Sequence, residues 1–193
     1  RDVEKRGYRA VHTLLEERYE GAVYPVNPRE KRILGLKAYP SILAVKEKVD
    51  LVLITLPSDK VLNAVYECGE KGVAGVIVIA GGFGELGSYG KSREAELVEA
   101  ARKYGMRIIG PNTSGFINVG INLDLVGIKD VPKGRIALLT QSGNIALHMI
   151  TEAKLKSMAG FSYYVGVGNE ADLQFYEYLE FFASDPDTDA VLI

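Results

Sequence analysis

Three runs of consecutive apolar residues constrain this chain more than any other feature: Leu51-Val52-Leu53-Ile54-Thr55, Val76-Ile77-Val78-Ile79 and Ile136-Ala137-Leu138-Leu139. A strand that is apolar at every position, rather than at alternate ones, is buried on both faces. That is the condition of a parallel sheet with helices packed on either side. The segments between the runs fit. Pro57-Ser58-Asp59 punctuates and caps a helix that runs to about Glu70. Ser92 to Tyr104 reads as a charged, amphipathic helix, and Arg107-Ile108-Ile109 as a further strand. Repeated alternation of strand and helix predicts a doubly wound α/β fold.

The rest of the chain extends this pattern. Tyr8 to Arg18 reads as a helix with Val11, Leu14 and Leu15 on its apolar side, and Ala22 to Val26 as a short strand ending at Asn27-Pro28. Asn, Asp, Gly and Pro break the rhythm between Asn118 and Pro132, which places a linker near Gly127 to Gly134. The pattern then restarts with a strand at 135–140, a helix at about 144–156, a strand at 161–165, a helix at 173–182 and a strand from 190. Two α/β units are therefore expected, over 1–128 and 134–193. The polar opening Arg1 to Gly7 has no strand before it, and Ala190-Val191-Leu192-Ile193 reads as the start of a buried strand. A fragment of a longer polypeptide is the expectation.

Composition excludes several function classes. Hydrophobic residues make up 47% of the 193 positions, enough for a packed core. With a net charge of −2 and no long basic run, nucleic-acid binding has no support. No apolar stretch approaches the roughly 18 residues of a membrane span, and no signal peptide is visible. The single Cys68 cannot form an internal disulfide, which fits a reducing cytoplasm. No Cys/His cluster has metal-ligand spacing, so no metal is expected.

Ligands of open parallel sheets bind beyond the carboxyl ends of the strands. The loops there are Pro25 to Pro28, Leu56-Pro57-Ser58, Ala80 to Phe83, Gly110-Pro111-Asn112-Thr113-Ser114-Gly115 and Gln141-Ser142-Gly143-Asn144. All are rich in Gly, Pro, Asn, Ser or Thr. Such residues make turns anywhere, but functional residues gather on such loops. The last loop runs straight into a helix, whose unpaired N–H groups and partial positive charge suit an anion. Gly110–Gly115 and Gln141–Asn144 are either two sites or one site shared between two units.

Other motifs carry less. Gly82-Phe83-Gly84-Glu85-Leu86-Gly87 matches the dinucleotide fingerprint G-x-G-x-x-G, but it follows a late strand, its helix starts late, and no acidic residue closes the next strand. It reads as a flexible loop, against an NAD-dependent dehydrogenase. Of the two histidines, His12 reads as structural. His148 lies one turn inside the helix after Ser142-Gly143, where a packing or surface role outweighs phosphoryl transfer. Asn169 and Asp172, in the loop Gly166 to Asp172, either cap the next helix or line a site facing Gln141 to Asn144. Asp185-Pro186-Asp187-Thr188 reads as a turn.

Taken in order, Tyr24-Pro25-Val26-Asn27-Pro28, Gly35-Leu36-Lys37-Ala38-Tyr39-Pro40-Ser41, Gly110-Pro111-Asn112, Gln141-Ser142-Gly143, Gly168-Asn169-Glu170-Ala171-Asp172 and Ser184-Asp185-Pro186-Asp187-Thr188 resemble the ADP-forming acyl-CoA synthetases, relatives of the succinyl-CoA synthetase α subunit. The resemblance covers nearly the whole chain. It implies a Rossmann-like CoA-binding domain over 1–128 that lacks its first strand and Gly-Ala-Ser turn. An incomplete flavodoxin-like ligase domain over 134–193 would follow. It also implies an enzyme that interconverts acyl-CoA, ADP and phosphate with acid, CoA and ATP through an acyl phosphate and a phosphohistidine. ATP or ADP with Mg would be handled by an ATP-grasp domain or β subunit not in this chain, in an oligomer.

Carried over by that resemblance, the coenzyme A loops are Lys5-Arg6-Gly7, Asn27-Pro28-Arg29, Leu56-Pro57-Ser58 and Ile79-Ala80-Gly81. Lys5, Arg6 and Arg29 suit the phosphates, and Asn112 the pantetheine end. Gln141, Ser142, Gly143 and Asn144 would hold the transferred phosphoryl group. Three departures stand out. Thr113-Ser114 occupy a place where the family usually has Cys, and Asn144 one that is often small or Thr. The family's phosphorylated histidine falls beyond Ile193, so no catalytic residue is expected within the chain, and His148 does not match it. A rival reading is a non-catalytic CoA- or acyl-CoA-sensing domain, as found fused to lysine acetyltransferases.

Overall fold

The computed structural model describes residues 5–156 and 159–193. Helix α1 (Arg6–Glu16) buries Ala10, Thr13 and Leu14. A short antiparallel pair, β1 (Arg32–Ile33) and β2 (Leu36–Lys37), precedes the first main strand. Then follow β3 (Leu51–Ile54), α2 (Ser58–Lys71), β4 (Gly75–Val78), α3 (Ser88–Lys103) and β5 (Arg107–Ile109). The three strands form a parallel sheet in the order β3-β4-β5. Its central strand is the most apolar, with Val76, Ile77 and Val78 each at most 1% exposed. Val61 and Val65 of α2 and Leu97 and Ala101 of α3 complete this core.

The second sheet has five strands in the order β10-β8-β9-β6-β7. They are β6 (Phe116–Asn118), β7 (Leu123–Asp124), β8 (Lys133–Thr140), β9 (Phe161–Gly166) and β10 (Ala190–Leu192), with α4 (Gly143–Lys156) and α5 (Phe175–Ser184) as the crossovers. Strands β8, β9 and β10 are parallel, whereas β6 runs antiparallel to β9. Strand β8 shows why helices cover both faces. Leu138 packs toward Ala146, Ile150 and Ala153 of α4, and its neighbours Ala137 and Leu139 pack toward Tyr178 and Phe182 of α5. A doubly wound α/β fold with a Rossmann-like first unit and a flavodoxin-like second unit is what the sequence predicts.

The differences are local. The expected strand Ala22–Val26 is reduced to a single bridge between Val26 and Tyr39. Pro25 has no N–H to donate, and only its carbonyl takes part, accepting from the Tyr39 amide at 2.8 Å. Helix α3 starts at Ser88, not Ser92, because the glycine-rich loop before it is shorter than its composition suggests. Strands β6 and β7 fall where the sequence rhythm breaks, and they belong to the second sheet by hydrogen bonding.

Candidate functional site

A cleft of about 1420 Å³ opens beyond the carboxyl ends of β3 and β4. It is bounded by α1's first turn, the Pro25–Arg29 segment, and the loops after both strands. Lys5, Arg6, Gly7, Asn27, Pro28, Arg29, Leu56, Pro57, Ser58, Ile79, Ala80 and Gly81 all line it. The first turn of α1 lies directly on the end of β3. A side chain on Gly7 would come within 2.8 Å of the Thr55 hydroxyl. Two helix starts face this space without a capping side chain, α1 at Lys5 and α2 at Pro57. Their amides and dipoles add positive potential to the cationic side chains. Lys5, Arg6 and Arg29 are exposed and form no salt bridge with another described residue. Arg29 is held near the cleft by a turn in which its amide donates to Asn27 Oδ1 at 2.9 Å.

Asn112 lies outside the cleft lining. It stands behind Gly81, where a side chain on the glycine would meet Asn112 Oδ1 at 3.1 Å. Its φ of 59° is in the left-handed region, and its amide donates to the Ala80 carbonyl at 2.9 Å. Thr113 and Ser114 turn from there toward the second unit. Thr113 Oγ1 donates to the Gly166 carbonyl, and Ser114 Oγ shares a hydrogen bond with the Tyr164 hydroxyl. Burial pushes the Tyr164 phenol up, against the Ser114 bond and the positive charge of Arg6. Ser114 Cβ lies 2.8 Å from the place a side chain on Gly143 would take. The turns Gly110–Gly115 and Gln141–Asn144 are thus neighbours in space.

At the start of α4, the Ser142 hydroxyl accepts from the Ile145 amide at 3.4 Å, and Gln141 Nε2 donates to Glu170 Oε1 at 2.6 Å. Asn144 and His148 are exposed. His12 stacks on Tyr8 at 5.9 Å and meets Glu16 at 3.1 Å, which is a surface helical role. Cys68 is buried, its thiol pushed up to about 12 by burial and then by Glu67, so it is not a nucleophile.

Sequence reasoning missed the seam between the units. The segment after β9 lies along the outer edge of β5. The amides of Asn169, Ala171 and Leu173 donate to the carbonyls of Pro111, Gly110 and Ile108 at 2.9, 3.2 and 3.5 Å. Gly168 makes this approach possible: its φ is 63°, and a Cβ there would lie 2.3 Å from the Pro111 carbonyl oxygen. Asp172 neither caps α5 nor faces Gln141. The helix is capped by Gln174 with Glu177. Asp172 is fully buried and accepts from Arg102, from Arg107 Nε at 2.9 Å and from the Ile108 amide at 2.9 Å. Burial acts to raise its carboxyl, but Arg107, the Ile108 amide and Arg102 outweigh it and hold the group below the usual carboxylate range. Asn169 binds Glu85, Glu94 and Asn112. The glycine-rich loop is therefore tied down rather than flexible, with Phe83 buried and Arg93 donating to the Gly82 carbonyl at 2.9 Å.

Residues 1–118 match the model of the CoA binding domain family. The chain belongs to that family. Residues 133–193 of this CoA-binding family member match a second model, the succinyl-CoA ligase like flavodoxin domain. The α subunit of acetate–CoA ligase (ADP-forming) II of Pyrococcus furiosus is 44% identical over 192 residues, covering 100% of this chain and 42% of the relative. Acetate–CoA ligase (ADP-forming) I of Archaeoglobus fulgidus is 44% identical over 91% of this chain and 26% of its own length. Among solved structures, the dinucleotide-forming acetyl-coenzyme A synthetase 1 of Candidatus Korarchaeum cryptofilum, in complex with phosphate and ADP, superposes with a TM-score of 0.94 at 39% identity. The match covers 99% of this chain and 41% of that one. This chain thus spans less than half the length of these relatives. No helix among the described residues is long and apolar enough to cross a membrane.

Proposed function

We propose that this chain supplies the coenzyme A-binding unit and the first part of the ligase unit of an ADP-forming acyl-CoA synthetase. The carrying observation is the cleft, where three cations with no salt-bridge partner among the described residues and two uncapped helix starts converge on one space. Lys5, Arg6 and Arg29 hold the phosphates of coenzyme A, and the Leu56–Ser58 and Ile79–Gly81 loops follow its body toward Asn112. The start of α4, at Gln141, Ser142, Gly143 and Asn144, receives the phosphoryl group carried between acyl phosphate and a histidine outside this chain. Its part is electrostatic: amides aimed where negative charge develops. The reaction exchanges acyl-CoA, ADP and phosphate for acid, coenzyme A and ATP. The nucleotide and its Mg²⁺ belong to an ATP-grasp domain or β subunit, in an oligomeric cytoplasmic assembly. The curated relatives are named as ligases, the Pyrococcus furiosus one as an α subunit, which favours catalysis over sensing and supports a partner subunit.

Calorimetric titration of the full-length polypeptide with coenzyme A, and separately with NAD, tests this. Micromolar binding of coenzyme A is expected, weakened about tenfold by Lys5→Ala or Arg29→Ala, the loss of one charge-assisted bond. Binding of NAD without a response to coenzyme A would overturn the reading.

A further inference from the structure

Two carboxylates of the first unit converge on one amide of the second. Asn169 Nδ2 donates to Glu85 Oε2 at 2.6 Å and to Glu94 Oε2 at 2.8 Å, while its Oδ1 accepts from Asn112 Nδ2 at 3.2 Å. Each carboxylate in turn holds backbone of the glycine-rich loop. Glu85 accepts from the Gly82 amide and from the Phe83 amide at 3.2 Å, and Glu94 from the Gly84 amide at 3.1 Å. Gly81, the last cleft residue of this loop, sits between Glu85 Oε1 and Asn112 Oδ1. Asn169 itself is anchored by its amide to the Pro111 carbonyl in the seam.

We propose that Asn169 is a positioning residue for the coenzyme A cleft, acting from the second unit through Glu85, Glu94 and Asn112. This rests on the coenzyme A reading of the cleft. The physical core is charge. Two carboxylates that share one NH2 group are held together by it, and without it they repel at short range. Glu85 and Glu94 would then separate and carry the Gly82–Gly84 backbone with them, and the wall at Gly81 would shift. Docking of the 168–173 segment and binding of coenzyme A are therefore linked, each favouring the other.

The test is coenzyme A binding and steady-state turnover of the full-length protein in four variants. Asn169→Ala is expected to weaken coenzyme A about tenfold in Kd and KM, with kcat changed less than about threefold. Asn169→Asp keeps the shape, loses both donations and adds a third negative charge, so it should be at least as damaging as Asn169→Ala. Glu94→Gln alone should be nearly neutral, since its amide oxygen still accepts from Gly84. Combined with Asn169→Ala it removes the like charge and should recover most of the lost affinity. Amide exchange at Ala171 and Leu173 should slow on coenzyme A binding in the wild type and respond less in Asn169→Ala.

Asn169→Asp behaving as wild type would show that only side-chain volume matters and would overturn the proposal. So would a double variant no better than Asn169→Ala. If Asn169→Ala fails to fold, the double variant and Asn169→Asp still decide between charge and packing. A wild-type protein that binds no coenzyme A overturns the cleft reading itself, a result distinct from unchanged affinity in the variants.

Discussion

The cleft and the seam are both built from loops at the ends of β-strands, and both are rich in arginine, yet they treat charge in opposite ways. In the cleft, Lys5, Arg6 and Arg29 are exposed and have no carboxylate partner among the described residues. In the seam, Arg102 and Arg107 close on one buried carboxylate, Asp172, and Arg107 also reaches Glu177 at 2.8 Å. Gathering cations without such partners costs self-repulsion and gains the fold nothing, a cost that the proposed anionic ligand would offset. Gathering paired ones around a desolvated carboxylate holds two sheets in one arrangement, since removing any partner leaves a buried group unsatisfied. If the cleft holds coenzyme A as proposed, its charge serves binding, whereas charge in the seam serves geometry.

The largest break of this comparison is Asp172→Ala. It strips both arginines and the Ile108 amide of their acceptor, and a loss of about 3 kcal/mol in urea unfolding is expected. That is the low end for a broken buried pair, because the arginines are partly solvated. Gly168→Ala attacks the same seam through the backbone. With a Cβ placed 2.3 Å from the Pro111 oxygen, a loss of about 2 kcal/mol is expected from overpacking and strain. On the cleft side the sign of the argument reverses. The Lys5→Ala, Arg29→Ala double variant should unfold within about 0.5 kcal/mol of the wild type while losing coenzyme A. A marked destabilisation there would mean that the cleft cations hold the fold after all.

The finest discrimination comes from pH. The carboxyls of Asp172 and Glu177 are held low, Asp172 against its burial and Glu177 chiefly by Arg107. Their contribution is complete above the unfolded carboxylate values of about 4 and is lost as pH falls through the lower folded values. Asp124 is equally buried but, among the described residues, accepts only from the amides of Val126, Gly127 and Ile128, and burial, the larger influence, leaves its carboxyl raised. Protonating it in the window above its unfolded value therefore relieves the fold. Acid titration of stability should show a loss below about pH 4 that Asp172→Ala reduces, leaving the share of Glu177. A loss of the same size in that variant would assign the acid sensitivity to other groups.

How much of this was legible beforehand follows the kind of interaction involved. Strands β3, β4, β8 and β9 and helices α2 and α4 announce themselves through apolar runs, turn residues and spacing, all of which act over a few neighbours. Sheet topology pointed to the segments 25–28, 56–58 and 80–83 and the family resemblance to Lys5-Arg6-Gly7, and the structure brings all of these but 82–83 together in the cleft lining, whereas 110–115 and 141–144 lie outside it. Strands β6 and β7 were not legible. They are three and two residues long, end in Asn118 and Asp124, and exist only because β9 offers β6 an edge and β6 then offers one to β7. The glycine-rich run 82–87 reads as flexible from composition, yet Glu85, Glu94, Arg93 and Asn169 pin it. A sequence signal for that was present, since one glutamate sits in the loop and another in the helix that follows it, but their shared partner lies 84 and 75 positions away.

The sequence by itself determined the doubly wound α/β class, the alternation of the main strands and helices, the loops that the structure gathers at the cleft and the kinship with CoA-binding proteins. Each of these is encoded in local periodicity, turn chemistry and ordered motifs. Only the tertiary structure decided that Asp172 and Asn169 belong to a seam rather than to a helix cap, that Asn112 stands behind the cleft wall, and that the two glycine-bearing turns are neighbours. Those outcomes depend on which distant backbone and charge each side chain meets once desolvation forces a partner upon it, and pairing of that kind leaves no trace in the spacing of residues along the chain.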